Sequence, residues 1–255
     1  YKLEKNYLNF RNEYLKSEFI NQSFVVKDKN HNSCLAIIFF NQKEKKLDFF
    51  GHYCELIYKG KENNYLILKF LENLNIIKKK YNIKNVKFII REKKLIQNNL
   101  FKKYKIHSEN REIIVDLNLD EEQILSSFKP SLRNEIKKIY KDVQYKIIDK
   151  KKYQNNEIID MKNINEKLPG LEKRSLSTWL INEKWIQNKE GFLVQINVKD
   201  KTIGYSLFYH NEVTCKYFAS CIFKEYFNDY KNLQHLALWK AIKYAKSICS
   251  NFYVG

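Results

Sequence analysis

The C-terminal quarter of the chain contains three apolar runs followed by one apolar stripe at helical spacing. The runs FLVQINV, IGYSLFYH and VTCKYFASCIF predict three β-strands joined by short polar turns. The segment KNLQHLALWKAIKYAK, residues 231–246, places its apolar residues on one face of a helix. The short apolar run NFYVG follows it. This part of the chain therefore predicts a meander of three strands, a crossover helix and a further strand.

The same order of elements occurs near the beginning of the chain. Three strands are predicted from SFVVKD, CLAIIFF and KLDFFGHY. A helix is then predicted from NNYLILKFLENLNIIKKKYN, and a closing strand from VKFII. Short turns between strands favour antiparallel pairing, whereas a strand–helix–strand crossover favours a parallel pair. Residues 23–90 and 191–255 are therefore expected to be two copies of one unit in a mixed α+β fold.

Further helices and strands are predicted around both copies. After VKFII come a helical stretch, EKKLIQNNLFKKY, and the strand REIIVDL, which are expected to complete the first copy. Before the second copy, NEIIDMKNINEK and SLSTWLINEKWIQN predict two helices, separated by Pro169 and Gly170.

The segment between the copies, REIIVDLNLDEEQILSSFKPSLRNEIKKIYKDVQYKIID, narrows the family. It predicts a strand ending in Asp116, an acidic helix with Asp120 as N-cap, a basic helix after Pro130, and another strand. This pattern resembles the FemABX-type ligases, which are tandem GNAT-fold acyltransferases. The resemblance implies two GNAT-like domains, residues 1–119 and 120–255. The first is expected to lack elements at its N-terminus, and the second to lack elements after NFYVG.

The resemblance also implies an enzyme that transfers an acyl or aminoacyl group to an amine on a cell-wall or glycan precursor. The donor is an aminoacyl-tRNA in the Fem ligases and an acyl-CoA in many other GNAT proteins. Attack of a neutral amine on a carbonyl needs a proton acceptor and hydrogen-bond donors for the developing oxyanion. No permanently bound cofactor is expected. The partners would be a polyanionic donor, tRNA or CoA-like, and an amine-bearing glycan or peptide precursor.

The sequence before the second crossover helix bears on the choice of donor. GNAT proteins that use CoA bind its pyrophosphate on a glycine-rich loop at this point, because glycine lets the backbone approach the phosphates. The corresponding segment here, KEYFNDYKNLQH, has no glycine. Fem-type proteins lack this loop too. Its absence therefore favours aminoacyl-tRNA, or an unusual thioester, over ordinary CoA.

Candidate site residues follow from the same resemblance. Glu55 is the candidate catalytic carboxylate, which would orient or deprotonate the acceptor amine. The candidate acceptor-binding residues are His52, Tyr53, Arg133 and Lys137, and the candidate donor-binding residues are Lys231, Asn232, Tyr205 and Tyr217. Arg133 and Lys137, one helical turn apart, make a forked cation suited to a diphosphate or to carboxylates.

Each of these residues also has a purely structural interpretation. Asn232 is as well suited to a plain helix N-cap as to an anion site. Arg133 and Lys137 could form a solvated face, and Glu55 could be an ordinary surface residue. Tyr205 and Tyr217 could fill the core of the predicted sheet.

The composition leaves other functions open. The net charge is +18, yet arginine is scarce while Lys, Asn and Ile are abundant, a usage that A/T-rich coding explains in part. A surface this basic still attracts polyanions. A basic nucleic-acid-binding protein and a GNAT-fold protein without catalysis are therefore the alternatives to a transferase.

Cysteine spacing and hydropathy set two further expectations. The 5 cysteines are scattered, without Cys-x-x-Cys or Cys/His spacing, which favours buried thiols in a reducing cytoplasm over a metal site. No apolar run approaches the ~20 residues of a membrane-spanning helix. A cytoplasmic protein is expected, and a peripheral position at the inner membrane surface stays open.

Overall fold

The computed structural model describes residues 9–10, 13–14, 19–49, 54–60, 63–90, 99–101, 113–138, 140–170 and 173–254, with the backbone alone for Glu55. The chain forms two compact units. The N-terminal unit is Leu15–Glu109, and the C-terminal unit is Asn110–Gly255 together with Tyr1–Tyr14. Both contain helices and mostly antiparallel sheets, so the predicted mixed α+β fold is confirmed.

The N-terminal unit is built on two small sheets and one long helix. Its elements are β1 (Phe19–Asn21), β2 (Phe24–Lys27), β3 (Ser33–Ile37), β4 (Phe39–Asn41), β5 (Lys46–Asp48), β6 (Cys54–Lys59), α1 (Asn64–Lys80) and β7 (Phe88–Ile90). One sheet has the order β2-β3-β6-β7 and the other β1-β4-β5. The β6–β7 pair, joined through α1, is parallel, and the other pairs are antiparallel.

Helix α1 forms because its apolar residues recur at helical spacing and one face covers the larger sheet. The buried residues on this face are Leu66, Ile67, Phe70, Leu71 and Leu74, and they pack against strands β3 and β6. Lysines 78, 79 and 80 occupy the last turn, where positive charge complements the helix dipole. The helix therefore holds β6 and β7 side by side, as the sequence predicts for a crossover.

The C-terminal unit contains one large sheet with helices on both faces. Its elements are β8 (Ile114–Asp116), α2 (Glu121–Ser127), α3 (Pro130–Lys137), β9 (Val143–Ile148), α4 (Glu157–Lys167), α5 (Leu176–Gln187), β10 (Gly191–Val198), β11 (Lys201–His210), β12 (Thr214–Ile222), a 3₁₀ turn (Lys224–Phe227), α6 (Leu233–Ala245) and β13 (Asn251–Tyr253). The strand order is β8-β13-β12-β11-β10-β9, and only the β12–β13 pair, joined through α6, is parallel.

Alternate residues of this sheet face two separate cores. Phe192, Phe208 and Phe252 point toward α6 and are fully buried there. Leu193 and Leu207 point the other way and pack against α4 and α5. Because successive side chains of a strand point to opposite faces, one sheet serves both cores. The face covered by α6 is called the crossover face below, and the face covered by α4 and α5 is called the helical-pair face.

The predicted repeat is confirmed at the level of strand order. Strands β2, β3, β6 and β7 correspond in order and direction to β10, β11, β12 and β13, with α1 and α6 as the crossovers. The third strand of the first copy is β6, however, which lies directly after the predicted segment KLDFFGHY. The Lys46–Asp48 part of that segment pairs with β4 in the small sheet instead.

The run CLAIIFF is divided between two sheets rather than forming one strand. Ser23 provides the physical reason, because its hydroxyl oxygen accepts a hydrogen bond from the Ile38 amide at 3.1 Å. Ile38 lies between β3 and β4, and there this side-chain bond takes the place of a backbone ladder bond, so the chain changes sheet at Ile38.

Strand β8 was expected to complete the first copy, and this assignment is wrong. It pairs antiparallel with β13, with Val115 opposite Phe252, and therefore extends the sheet of the C-terminal unit. Lys246 at the end of α6 reinforces the arrangement by donating a 3.0 Å hydrogen bond to the Leu117 carbonyl. Most of the helix predicted at EKKLIQNNLFKKY lies outside the described residues. The domain boundary after residue 119 stays a prediction.

Candidate functional site

The N-terminus of α6 presents backbone amides that the helix itself does not use. Asn232 precedes it with a left-handed backbone (φ 76°), and its side chain makes no capping hydrogen bond. The first intrahelical bond runs from the Leu236 amide to the Asn232 carbonyl at 3.1 Å. The preceding amides of the helix therefore lack an intrahelical acceptor and form the positive end of its dipole. The side-chain cap expected as one role of Asn232 does not form.

Residues from α3, from β9 and from the segment between them hold this helix start in place. The Tyr140 hydroxyl donates to the Lys231 carbonyl at 2.9 Å, and the Tyr145 hydroxyl donates to the Leu233 carbonyl at 3.4 Å. Burial raises the pKa of Tyr145, which keeps this hydroxyl a donor. His235 Nδ1 lies 2.6 Å from Glu135 Oε2 and joins α6 directly to α3. The helix start is thus positioned by three side-chain contacts.

Tyr230, just before the helix, is tied to the same framework. Its hydroxyl donates a short hydrogen bond to Asp142, which raises the pKa of Tyr230 to about 12. Its ring meets that of Tyr140 edge to face, with the centroids 5.3 Å apart. Tyr230 is therefore a neutral hydrogen-bond donor at neutral pH, so an anion at this place would meet no phenolate from it.

Tyr217 also reaches the first turn of α6. Gln234 Nε2 donates to its hydroxyl oxygen at 3.0 Å, and partial burial raises its pKa. The strand that carries it contains a bulge, since Leu207 pairs with Ala219 and Phe208 with Tyr217, leaving Phe218 as the extra residue. Tyr217 consequently lies on the crossover face, whereas Phe218 lies on the helical-pair face.

Tyr205 belongs to the core and not to the helix start. It is 1% exposed on the helical-pair face, and burial raises its pKa to about 12. Its hydroxyl accepts a 3.3 Å hydrogen bond from Gln195, whose amide also donates to Thr202 at 2.8 Å. The predicted role in donor binding is therefore less well supported for Tyr205 than the packing role.

Arg133 and Lys137 lie on α3, the helix that contacts the α6 start. Arg133 is partly buried and Lys137 is exposed. At 100° per residue the two lie about 40° apart, on the face roughly opposite to Glu135. Glu135 faces α6 through His235, so Arg133 and Lys137 are directed away from that contact. The structure places the predicted fork on one face, with no ion pair to the guanidinium among the side chains that it describes.

Comparison with known proteins finds solved structures that are similar to this chain. No protein-family model and no curated protein matches the chain. Solved structures do match: FemX aligns with 100% of this chain and 87% of its own, with a TM-score of 0.64 and 10% identity. L-PGS from Bacillus licheniformis aligns with 100% and 77%, with a TM-score of 0.58 and 13% identity. A tandem GNAT protein from the clavulanic acid biosynthesis pathway aligns with 97% and 78%, with a TM-score of 0.51 and 6% identity.

The chain has a FemX-type tandem GNAT fold. Its two crossover helices, α1 and α6, occupy corresponding positions in the two repeats. The FemX-like fold therefore offers two helix starts to compare, one in each unit.

The start of α1 is occupied by side chains of the protein itself. Asn63 Oδ1 accepts from the Tyr65 amide at 2.9 Å, and Asn63 Nδ2 donates to Asp28 Oδ2 at 2.8 Å. Asp28 also accepts from the Asn30 and Asn32 amides and from the Asn32 side chain. A carboxylate next to this helix start repels an incoming phosphate. Of the two crossover helices, α6 is the one whose start is open to an anion.

The remaining predicted residues are less well defined. His52 and Tyr53 lie outside the described residues, and Glu55 lies in β6 opposite Ile37. Sequence reasoning missed Asp28, Tyr140, Tyr230 and Gln234, because each acts through a contact that is distant in sequence. Within the described ranges, no group of three or more His, Cys, Asp or Glu side chains could hold a metal ion. Among the helices described, none is long and apolar enough to cross a bilayer.

Proposed function

We propose that this chain is an acyltransferase that moves an aminoacyl group from aminoacyl-tRNA to an amine on a cell-envelope precursor. The FemX-type fold supports acyl transfer as the reaction class. One similar structure, from Agrobacterium fabrum, is the C-terminal domain of a candidate lysylphosphatidylglycerol synthetase and aligns with 91% of this chain and 70% of its own, with a TM-score of 0.60 and 11% identity. The name of that protein describes the joining of lysine to phosphatidylglycerol, a membrane component. This agrees with the proposed class of acceptor.

The observation that carries the proposal is the contrast between the two crossover helices. The α6 start has free amides, no side-chain cap and the exposed cation Lys231 beside it. Helix amides and a lysine bind phosphate oxygens. The segment before it has no glycine, so the backbone cannot follow a pyrophosphate closely, as CoA requires. A nucleic-acid donor needs only contacts between its phosphates and exposed positive groups such as these.

The reaction itself sets the remaining requirements. The acceptor amine attacks the ester carbonyl, a C–N bond forms, and the C–O bond to the tRNA ribose breaks. The ribose oxygen leaves with a proton, and the amine loses one to a base. Glu55 is the proposed proton acceptor, and His52 and Tyr53 are proposed to contact the acceptor. Donor binding is proposed for Lys231, Asn232 and Tyr217.

A transfer assay tests the proposal. The purified protein is incubated with tRNA carrying radiolabelled amino acids and with amine-bearing peptide and glycan precursors from a bacterial envelope. An amide product survives mild alkali, whereas the starting aminoacyl ester is hydrolysed. Alkali-stable label in the precursor fraction supports the proposal. Its absence with every amino acid, under conditions where the protein binds tRNA, contradicts it.

The charge of +18 favours a second candidate, a basic nucleic-acid-binding protein without catalysis. Such a protein would bind tRNA with a strong salt dependence and leave the aminoacyl ester intact. The same assay separates the two functions, since binding without alkali-stable transfer is the result expected for the second.

A further inference from the structure

Four buried polar atoms on the helical-pair face have no hydrogen-bond partner within the part of the chain that the structure describes. They are Asn165 Oδ1, Trp179 Nε1, Asn182 Nδ2 and Trp185 Nε1. Their residues are at most 7% exposed. Buried polar groups in folded proteins are almost always paired, with protein, water or ligand. Three of these four atoms are N–H donors, so a group that pairs with them must offer hydrogen-bond acceptors.

Helix α5 places the three donors in a row. Trp179, Asn182 and Trp185 are spaced three residues apart, which puts them on neighbouring positions of one buried face with about 4.5 Å of rise between successive residues. A buried face of this type normally carries apolar side chains. Two indole N–H groups and a carboxamide on it point to a ligand with oxygen acceptors.

Arg174 adds a positive charge to the same place. Its guanidinium lies 3.6 Å from the ring centre of Trp179, and its Nη1 donates to Asn182 Oδ1 at 3.4 Å. The bond to Asn182 Oδ1 also fixes the amide orientation that leaves Nδ2 unpaired. Arg174 is only partly buried, whereas the three residues that carry the donors are buried.

The bulge of β12 closes the other side of the row. Phe218, the extra residue of the bulge, meets the Trp185 ring edge to face at 4.9 Å, and Phe10 meets Phe218 at 4.8 Å. On the same strand, the Cys221 thiol is hydrogen-bonded by Asn165, whose Oδ1 stays unpaired. Tyr217, which directly precedes Phe218 in this strand, contacts the first turn of α6 on the crossover face. One strand therefore connects the proposed phosphate site with the row of donors.

We propose that Trp179, Asn182 and Trp185 bind the side chain of the transferred acyl group, and that this side chain carries a carboxylate or a carboxamide. The proposal rests on the proposed function. An apolar side chain would leave the three donors unpaired, at a desolvation cost. An ammonium side chain would offer no hydrogen-bond acceptor. A carboxyl or amide oxygen pairs with the indoles and Asn182, and hydrogen bonds to a carboxylate are the stronger ones.

The three tryptophans of the chain make the test direct. With ¹⁵N-labelled indoles the protein gives three side-chain N–H signals, from Trp179, Trp185 and Trp239. Trp239 packs against Phe128 on the crossover face and serves as the internal reference. The protein is titrated with the α-methyl esters of aspartate, asparagine, glutamate, glutamine, leucine and lysine. We expect saturable shifts of the Trp179 and Trp185 signals with at least one acidic or amide ester and none with leucine or lysine. Comparison of each acid with its amide measures the contribution of charge.

Two variants of α5 sharpen the result. Asn182→Leu removes the unpaired donor at similar volume and also the 3.4 Å bond from Arg174, so its stability should stay close to that of the parent while it binds the effective ester at least about tenfold more weakly. Gln187→Leu, on the exposed part of the same helix, is the matched control and should bind like the parent. Shifts with every ester alike, or with none because ordered water fills the site, overturn the proposal, as does unchanged binding by Asn182→Leu.

The two proposals fail separately. If the protein transfers labelled amino acids but no acidic or amide ester shifts Trp179 and Trp185, the side-chain site is wrong and the transferase stands. If such an ester binds but no tRNA-derived label is ever transferred, the site stands and the proposed reaction is wrong.

Discussion

Asn63 Nδ2 donates a 2.8 Å hydrogen bond to Asp28 Oδ2, so the first crossover helix begins against a carboxylate of its own chain. The corresponding helix of the other unit begins after Asn232, which makes no side-chain cap. The two repeats therefore share strand order and direction but differ at the start of the crossover helix, where phosphate binding is proposed for α6. In a duplicated fold, one helix start can therefore be used for structural contacts within the chain while the other stays available for a ligand.

Acid should weaken the hydrogen bonds that Asp28 accepts at the start of α1. Hydrogen bonds from the Asn32 side chain, and also from Asn63 and the Asn30 amide, hold the pKa of Asp28 below its ordinary 3.8. Because the folded pKa is lowered, the stabilising contribution is complete above the ordinary value and is lost as the pH falls through the lowered one. Asp28→Asn should therefore show a smaller loss of unfolding free energy on acidification, measured by denaturant titration. Asp200→Asn, in an exposed turn, is the control, and equal acid sensitivity of Asp28→Asn and the parent would contradict the assignment.

The cysteines should be inert in the native protein. Burial raises the pKa of Cys249 to about 11 and of Cys54 to about 12, and it raises those of Cys215 and Cys221 as well. The thiolate is the reactive form. Ellman's reagent at mildly alkaline pH should react with the folded chain at least about 100-fold more slowly than with the chain in concentrated guanidinium. All 5 thiols should titrate after unfolding. Rapid release from the native protein would show an exposed thiolate.

The periodic elements could be predicted from the sequence because their burial is decided locally. Helix α6 has alanine and leucine on its buried face, and β10 to β12 are long enough to show their apolar runs. The crossover order, and with it the repeat, followed from these elements alone. Strand β8 was assigned to the wrong sheet because its partner β13 is distant in sequence and pairs over only three residues.

The site was harder to predict because its geometry comes from contacts between distant residues. Tyr205 and Tyr217 were both predicted to bind the donor, and nothing in the sequence distinguished them, although the structure places them on opposite faces of the sheet. The bulge at Phe218 reverses the alternation within β12, and no local pattern marks it. The capping role left open for Asn232 failed because its backbone is left-handed there.

CoA should bind poorly. Without glycine before α6, the backbone cannot approach a pyrophosphate as closely as CoA binding requires. Isothermal titration should give a Kd for free CoA no tighter than about 1 mM. A dissociation constant in the low micromolar range would overturn the preference for a donor other than CoA.

Binding of tRNA should depend on salt through Lys231. Each phosphate contact made by a lysine releases counterions, so removing one contact reduces the slope of log affinity against log salt concentration by about one. Lys231→Ala should show this reduction when tRNA binding is measured by fluorescence anisotropy at several salt concentrations. Lys184→Ala removes an exposed charge from α5 and is the matched control. Equal slopes for Lys231→Ala and the parent would place the tRNA elsewhere.

Arg133 should bind an anion and contribute little to folding. It is partly buried, without an ion-pair partner among the described side chains, and Lys137 lies one turn away on the same face. A hydrogen bond to a charged group contributes about 1.5–3 kcal/mol, whereas an exposed ion pair contributes under about 1 kcal/mol. Arg133→Ala should therefore weaken pyrophosphate binding, measured by calorimetry, at least about tenfold, and should leave the Tm nearly unchanged. Arg133→Lys should recover little of the loss, because lysine lacks the planar fork that pairs with two oxygens. Parent-like binding by both variants, or a large fall in Tm for Arg133→Ala alone, would make this residue structural.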